Sequence, residues 1–251
     1  MAGALGADLL VAERLPVEEG WPALLGGAVV TREPSPVLIN PGGWQEWLAG
    51  RSSNFRQQVR RYERRLVQRH GLSMRLTEDE AALEADFGVL VELHRARWRS
   101  VGVDAFAGPR EAFHREVARR ALGRGRLRLW IAELDGRPAA AWYGLRFGGI
   151  EWYYQAGRDP ELDATSVGFV LMAHTVREAL DDGMTEYRLL RGGEEYKRRF
   201  ASHDEGLEIA TVAHGPAGRA ASGALRAAGA MSPAARARVR ALAAQRPSAA
   251  S

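Results

Sequence analysis

Three strand-like runs in the middle of the chain constrain its fold more than any other feature. They cover 127–134, 137–147 and 150–157, with Asp-Gly and Gly-Gly turns between them. A period of two with tight turns predicts an antiparallel meander. A helix at 166–182 and a strand at 186–190 follow, and such a crossover makes the new strand parallel to its neighbour. This order predicts an α/β fold with a mixed, mostly antiparallel sheet flanked by helices.

A strongly basic helix is predicted upstream of the meander. Residues 51–70 hold seven arginines and one acid, Glu63, although the net charge of the whole chain is only +4. Ser52 or Ser53 caps the start of this helix, and Gly71 ends it. Apolar residues at spacings of four, three and four form one stripe, so the arginines cover the other faces. Such a surface binds the phosphates of a nucleotide-linked substrate or of tRNA, or it is simply solvated.

Two further helices are predicted between the basic helix and the meander. The segment Thr77-Glu78-Asp79-Glu80 has the form of a capping box that opens the first of them. The second covers about 109–122, starting at a proline. Three histidines are expected to be structural rather than catalytic; they are His94, His174 and His203.

Composition excludes several classes of chemistry. The 251 residues include no cysteine, which rules out a disulfide framework, a cysteine-ligated zinc and a thiolate nucleophile. No apolar run approaches the ~20 residues that cross a bilayer, and residues 1–10 lack the basic start of a secretory signal. The six histidines show no metal-ligand spacing. We therefore expect a cytoplasmic protein with no membrane span and no metal.

Lys197 is the only lysine among 35 basic residues, the others being arginine. It lies in 191–200, beside a Gly-Gly turn, two glutamates and a tyrosine. An ammonium can shift its pKa or lose a proton, whereas a guanidinium cannot. A lone lysine in this setting indicates a chemical site, unless it is only a survivor of a GC-rich coding bias.

The crossover at 155–169 is a candidate anion site. A strand ends near Gly157, a loop follows, and a helix starts at Ser166-Val167-Gly168. Exposed amides and the helix dipole favour an anion at a helix start, and a glycine there lets a phosphate approach the backbone. The alternative is an ordinary helix start without a ligand.

The order of these segments resembles the GNAT acyltransferase superfamily. The Gly-x-Glu-x-Tyr-Lys-x-x-Phe run at 192–200 is similar to the CelD-like branch, which is related to the FemABX peptidyltransferases. The resemblance covers about 51–213 and implies a GNAT fold that binds acetyl-CoA or another acyl-CoA at the crossover helix. The usual phosphate-loop motif is degenerate here, because only Gly168 has a clear counterpart.

The resemblance also implies a set of site residues. Tyr196 is expected as general acid and Lys197 as a stabiliser of oxyanion or phosphate charge. Glu194 or Glu195 is expected as a base, unless it pairs with Lys197 or Arg198. Strand alternation places Glu151, Tyr153 and Gln155 on one face and Trp152 and Tyr154 on the other. The expected substrate contacts are Glu151, Tyr154 and Arg191. The expected cofactor contacts are Gln155, Ala156, Gly157, Ser166, Val167, Gly168 and Phe169.

The resemblance divides the chain into three segments and leaves three functions to consider. We expect 1–50 to be the remnant of a preceding GNAT-like lobe, 51–214 the acyltransferase domain and 215–251 a flexible or marginally helical tail. The expected reaction moves an acyl group from acyl-CoA to an amine acceptor, and a homodimer would cover surface left by the short first lobe. One alternative is a FemABX-like transferase that uses aminoacyl-tRNA on a cell-wall or related precursor. The other is a decayed single-lobe GNAT that only binds.

Overall fold

The computed structural model describes residues 7–99, 102 and 104–230, and these form two compact units. The small unit comprises 7–36, 191–198 and 204–230, and the large unit comprises 37–190 and 199–203. The chain therefore leaves the large unit after Leu190 and returns to it within a single short helix. These units divide the chain differently from the boundaries expected at 50 and 214, and the predicted lobe remnant stays a prediction.

The described residues form nine strands and eight α-helices. In chain order the strands are β1 Leu9–Pro16, β2 Ala28–Glu33, β3 Val37–Ile39, β4 Ser73–Leu76, β5 Leu127–Leu134, β6 Arg137–Phe147, β7 Ile150–Arg158, β8 Glu186–Arg188 and β9 Leu207–Ala213. The helices are α1 Trp21–Leu24, α2 Trp44–Ala49, α3 Ser53–His70, α4 Glu80–Trp98, α5 Pro109–Leu122, α6 Val167–Asp181, α7 Glu195–Phe200 and α8 Gly215–Ala230.

The small unit is an antiparallel sheet of order β1-β9-β2 with α8 packed on β2. Glycines allow this close packing, since a Cβ on Gly229 would collide with the carbonyl oxygen of Val30. The hydroxyls of Thr211 and Ser222 add a buried hydrogen bond of 2.7 Å. Residues 215–230 of the expected tail are thus helical, and the rest of that tail lies outside the described residues.

The large unit is built on a six-stranded sheet of order β3-β8-β7-β6-β5-β4. Every neighbouring pair is antiparallel except β7 and β8, which are parallel. The predicted α/β fold with a mixed, mostly antiparallel sheet is therefore confirmed, as is the parallel crossover strand. Helices α4 and α5 bury a continuous apolar cluster against one face of the sheet, centred on Phe87, Leu90 and Leu129.

Helix α3 forms where the sequence predicts it. The Ser52 hydroxyl accepts a hydrogen bond from the amide of Phe55, and Gly71 ends the helix with a left-handed φ of 50°. The buried stripe includes Val59 and Leu66. The capping box predicted for α4 does not form, however, because Asp79 rather than Thr77 caps that helix.

Thr77 has a different partner from the one a capping box requires. Its hydroxyl donates to the buried carboxylate of Asp86 at 2.6 Å, which Arg75 also binds at 2.6 and 2.7 Å. A buried charge is stable only when it is paired and hydrogen-bonded. Asp86 therefore recruits Thr77, and the Asp79 carboxylate takes the amide of Ala82 at 2.7 Å instead.

His174 on α6 gives the large unit a predicted acid sensitivity. Its ring packs edge-on against Trp130 with centroids 4.6 Å apart, and burial, assisted by Arg177, lowers its pKa to about 4. The unfolded chain binds this proton from about pH 6.5, so stability is full above that pH and falls as the pH drops towards 4. A fall in the pKa of His174 from 6.5 to about 4 corresponds to a loss of roughly 3 kcal/mol of stability at most.

We therefore expect His174→Phe to remove this part of the acid sensitivity. Urea unfolding of the wild type and of the variant between pH 7 and 4 measures the difference directly. The exposed His214 provides a matched control, because His214→Gln is a surface substitution that should change stability at pH 7 by no more than about 0.5 kcal/mol. Parallel curves for the wild type and His174→Phe would show that folding does not lower the pKa of His174.

Candidate functional site

Strand β7 extends well beyond its short parallel neighbour β8. They pair only from Ile150 opposite Glu186 to Trp152 opposite Arg188, whereas β7 continues to Arg158 along β6. The outer edge of β7 beyond Trp152 therefore has no β8 partner. An edge of this kind offers backbone donors and acceptors to an extended ligand.

A β-bulge lies in β7 just beyond the end of its pairing with β8. Tyr143 pairs with Gln155 and Gly144 with Tyr153, so Tyr154 is the extra residue of β7. Residue 144 must be glycine, because a Cβ there would collide with the carbonyl oxygen of Trp152. A bulge bends its strand and leaves the extra residue outside the ladder.

The bulge corrects one prediction from strand alternation. Tyr153 stacks on Trp142, whose indole N–H donates to Tyr187 on the α6 side of the sheet. Gln155 lies opposite Tyr143 and so shares its face, which is the one covered by α4 and α5. Placing Gln155 on the face of Glu151 and Tyr153 was therefore wrong, because the extra residue reverses the alternation.

The end of β7 is fixed against α4. The amide of Ala105 donates to Nε2 of His94 at 3.2 Å, so the Nδ1–H of the ring donates to the carbonyl of Ala156, also at 3.2 Å. Burial lowers the pKa of His94, which keeps the ring neutral. Gly157 allows the contact, since a Cβ on it would meet the backbone of Leu93 and His94.

The start of α6 presents backbone amides. Ser166 adopts the left-handed conformation with φ of 64° and does not cap the helix with its side chain. The amides of Val167 and Phe169 bond within the turn, to Thr165 Oγ1 and to the Ser166 carbonyl. The Gly168 amide belongs to the first turn, where α-helical amides lack an intrahelical acceptor.

Two arginines that the sequence analysis did not single out surround this helix start. Arg65 of α3 donates to the carbonyls of Ala164 and Thr165 at 3.3 and 2.7 Å. Arg158 pairs with Asp163 at 2.5 and 3.0 Å, and its Cδ would lie 3.4 Å from a Cβ on Gly168. The basic character of 51–70 is the only sequence signal that pointed to Arg65.

Phe169 joins the start of α6 to the basic helix. Its ring makes edge contacts with Phe55 and Tyr62 at 5.7 and 5.9 Å. Arg61 and Arg65 lie over Tyr62 at 5.2 and 5.0 Å. Part of the arginine surface of α3 therefore lies beside the predicted cofactor loop.

Glu151 is a buried ion-pair partner on the α6 face. It is 1% exposed, and its Oε2 binds Arg146 at 2.7 Å and Arg128 at 3.6 Å. Burial raises its pKa, against the effect of Arg146. Both arginines neutralise the charge of the Glu151 carboxylate. The expected contact of Glu151 with the acceptor stays a prediction.

Lys197 and Glu194 lie together in the small unit. Lys197 is 4% exposed, and its Nζ donates to the carbonyl of Arg191 at 2.7 Å and to Glu194 Oε2 at 3.1 Å. Burial lowers the pKa of Lys197, and Glu194 opposes that shift. The lone lysine thus has a desolvated ammonium with a single carboxylate partner among the described residues.

The segment before Lys197 contains two residues with positive φ. Leu190 has φ of 54° and Gly192 φ of 119°, and a left-handed non-glycine residue often marks a functional turn. The Gly192 amide donates to the carbonyl of Pro34 at 2.9 Å. Arg191 is ion-paired to Glu33 at 3.4 Å, and Tyr196 is half-buried in the first turn of α7.

The predicted site residues therefore fall into two groups. Lys197, Glu194, Tyr196 and Arg191 belong to the small unit, and the expected cofactor and β7 residues belong to the large unit. Within the described residues, no three His, Asp or Glu side chains form a group suited to a metal. None of the described helices is both long enough and apolar enough to span a membrane.

Solved structures with the same fold include two kinds of protein. FemX is 11% identical, with a TM-score of 0.61 over 85% of this chain and 74% of that one. A C-terminal domain of a putative lysylphosphatidylglycerol synthetase from Agrobacterium fabrum is 12% identical, with a TM-score of 0.59 over 84% and 69%. L-PGS from Bacillus licheniformis is 11% identical, with a TM-score of 0.58 over 83% and 69%. At these identities the likeness shows the fold alone.

Sequence comparison identifies the family. No curated protein matches the chain. A family model described as an acetyltransferase (GNAT) domain matches residues 53–198, more than half of the sequence. This match includes β7, the start of α6 and Lys197. The chain therefore belongs to the acetyltransferase (GNAT) domain family.

Proposed function

We propose that this protein moves an acetyl or other acyl group from acyl-CoA to an amine. The observation that carries the proposal is the opened edge of β7 beside the glycine-containing start of α6. An extended pantetheine arm pairs with such an edge, and a pyrophosphate suits the first-turn amides of a helix. Gly168 leaves room for the phosphate, with Arg158 and Arg65 as nearby cations.

Arg158 has a specific place in this proposal. Its ion pair with Asp163 is about half exposed on the acid's side, and exposed pairs of this kind are weak. A diphosphate at Gly168 competes with Asp163 for the guanidinium, which binds phosphate oxygens in bidentate fashion. Arg158 then exchanges one anionic partner for a stronger one.

The chemistry assigned to the small unit comes from the sequence resemblance. Tyr196 is proposed to protonate the departing thiolate, and Lys197 to stabilise negative charge on the oxyanion or phosphate. The Lys197 ammonium is already desolvated, which strengthens its interaction with a developing anion. Glu194 serves as its counter-ion, and this pairing makes Glu194 a less available base.

A FemABX-like transfer from aminoacyl-tRNA is the second candidate. It is favoured by the degenerate phosphate loop and by the arginine surface of α3, and the fold is shared with FemX. A CelD-like position within the family, a homodimer and a cytoplasmic location remain parts of the proposal. A binding module without turnover is the third possibility, and thioester cleavage separates it from both enzymes.

Thermal unfolding with acetyl-CoA, a longer acyl-CoA and free CoA tests the donor. At a hundredfold excess over Kd we expect stabilisation of about 2.7 kcal/mol, a rise in Tm of roughly 5–10 °C. Gly168→Trp should abolish the rise, because the indole fills the space beside the first-turn amides. Gly223→Trp is the matched control, since that glycine faces open space on α8.

Each outcome has a distinct consequence. A rise that Gly168→Trp removes and Gly223→Trp retains supports acyl-CoA at the start of α6. An equal rise in both variants would place CoA elsewhere. No rise with any CoA species would contradict the proposal and direct the same assay to aminoacyl-tRNA. Release of free thiol in the presence of an amine panel then separates turnover from binding.

A further inference from the structure

Three polar rings meet at the bulge on the α4–α5 face of the sheet. They are His114 of α5, Tyr143 of β6 and Tyr154 of β7. The His114 and Tyr154 centroids are 4.6 Å apart, those of His114 and Tyr143 are 6.0 Å apart, and the two tyrosines are 5.7 Å apart. Each ring therefore contacts the other two.

His114 is buried without a hydrogen-bond partner. It is 8% exposed, and its Nδ1 has no donor or acceptor among the described residues. Phe106 and Phe113 border the same ring at 5.7 and 5.1 Å. A buried polar group left unpaired in this way calls for an explanation, and a functional role is one of them.

His94 shows what a structural histidine looks like on the same face. It also contacts Phe106, at 5.1 Å, and it is 1% exposed. Both of its nitrogens are bonded, to Ala105 and Ala156. Of this pair, only His114 has nitrogen lone-pair or N–H capacity left for a ligand.

The surroundings of His114 keep the imidazole neutral. Burial lowers its pKa, and Arg110 of the same helix adds to that effect. The groups that face it from β6 and β7 are the phenols of Tyr143 and Tyr154, and burial raises the pKa of Tyr143. No carboxylate of the described residues counteracts the lowering of the His114 pKa.

The cluster reaches the surface at the proposed thioester edge. Tyr154 is 38% exposed, and it is the bulged residue at which β7 leaves β8. Its ring is the one closest to His114 in the cluster. A neutral imidazole therefore lies beside the strand edge that is proposed to pair with the pantetheine arm, whose end carries the thioester.

We propose that His114 accepts the proton of the attacking amine, an inference that rests on the proposed acyl transfer. The amine nitrogen forms a bond to the thioester carbonyl carbon and becomes positively charged and acidic. Its proton moves to Nε2 of His114, because Nδ1 is buried. The C–S bond then breaks, sulfur leaves as thiolate and takes a proton, and the imidazolium releases its proton to water.

His114 thus takes the role of the base, which the resemblance to the GNAT superfamily implied for Glu194. The Glu194 carboxylate is paired with Lys197, whereas the His114 nitrogens have no competing partner among the described residues. A neutral imidazole is a sufficient base, because the nitrogen of the tetrahedral intermediate is far more acidic than the free ammonium. Tyr154, which was expected to contact substrate, packs against His114 at the exposed end of the cluster.

Steady-state kinetics of His114→Phe tests the proposal. The assay measures thiol release from acetyl-CoA with glucosamine, ethanolamine and a glycine amide as acceptors. Phenylalanine preserves the ring packing but has no nitrogen, so kcat should fall about a hundredfold while the thermal shift with CoA stays. The acid limb of the wild-type pH profile, below pH 6.5, should differ in shape from that of the variant.

Chemical rescue provides the second measurement. His114→Ala leaves a cavity of imidazole size beside Tyr154, and added imidazole should restore activity at least tenfold. His94→Ala is the matched control: it removes a buried histidine of the same face, and imidazole should not raise its activity.

The outcomes separate this inference from the function on which it rests. A wild-type kcat and pH profile in His114→Phe, or no rescue of His114→Ala, would overturn the role of His114 and leave acyl transfer standing. Wild-type protein that binds CoA but releases no thiol with any acceptor would overturn both.

Discussion

Gly157→Ala should destabilise the protein by about 3 kcal/mol, the upper part of the usual range for overpacking. A Cβ at this position would lie 2.5 Å from the carbonyl carbon of Leu93 and 2.8 Å from its Cβ. Neither wall can move freely, because one is the backbone of α4 and the other is a central strand. The expected loss in Tm is roughly 6–12 °C for a chain of this size.

A second glycine supplies a control substitution that is expected to raise stability rather than lower it. Gly88 lies in the middle of α4, and a Cβ there would meet nothing within 4 Å. Gly88→Ala should therefore raise stability by up to about 1 kcal/mol through helix propensity alone. Urea unfolding of both variants measures the contrast. Equal stability of the two would mean that β7 and α4 are not in close contact.

The close approach has a consequence for function. It fixes the carbonyl of Ala156 to His94 and so holds β7 in place just after the bulge. The strand edge proposed for pantetheine therefore cannot shift without breaking a buried hydrogen bond. We expect Gly157→Ala to weaken CoA binding as well, even at temperatures where the variant remains folded.

The meander could be predicted from sequence almost to the residue. Strands β5 and β6 have the expected bounds, because their ends are set by turns at Asp135-Gly136 and Gly148-Gly149 in which all four residues have positive φ. Local chemistry of this kind acts within a few residues. For the same reason the ends of α3, at Ser52 and Gly71, could be predicted correctly.

The bulge at Tyr154 could not be predicted, because it depends on two strands at once. Alternation along β7 alone places Gln155 on the same face of the sheet as Tyr153. The pairing of Tyr143 and Gly144 in β6 places it on the opposite face. Only a glycine at 144 permits the register shift. Gly144 acts on β7, which follows several residues later in the chain. The sequence around Tyr154 itself therefore gives no sign of the bulge.

Contacts between distant residues were missed for a related reason. Arg65 binds the carbonyl of Thr165, 100 residues away, and it is one of seven arginines with the same sequence context. His114 has no motif around it, and its lack of a partner is visible only once α5 is packed on the sheet. Lys197, by contrast, was conspicuous because arginine occupies every other basic position of the chain.

Replacement of Lys197 is expected to have the largest effect on catalysis. Lys197→Met keeps the length of the side chain and removes the charge, so kcat should fall about 10²–10³-fold, as for loss of an oxyanion donor. Lys197→Arg should not restore activity, because a planar guanidinium does not fit a site shaped for a point charge. Thiol release from acetyl-CoA with an amine acceptor measures both variants.

Arg198 provides the matched control for Lys197. It is the next residue of α7 and carries the same charge, but it is exposed. Arg198→Met should therefore leave kcat within about twofold of the wild type, as is usual for surface substitutions. Equal losses in the two variants would indicate a general effect of charge on α7 rather than a role for the buried ammonium.

The pH dependence of the rate distinguishes a catalytic role of Lys197 from a purely structural one. Burial lowers the pKa of Lys197 from its ordinary value of 10.5, so the Lys197 ammonium should lose its proton below that pH. The wild-type rate should then decline on the alkaline side before pH 10.5, and the residual rate of Lys197→Met should not. A wild-type rate that stays level to pH 10.5 would contradict the assignment, because the activity would not need the charged form of Lys197.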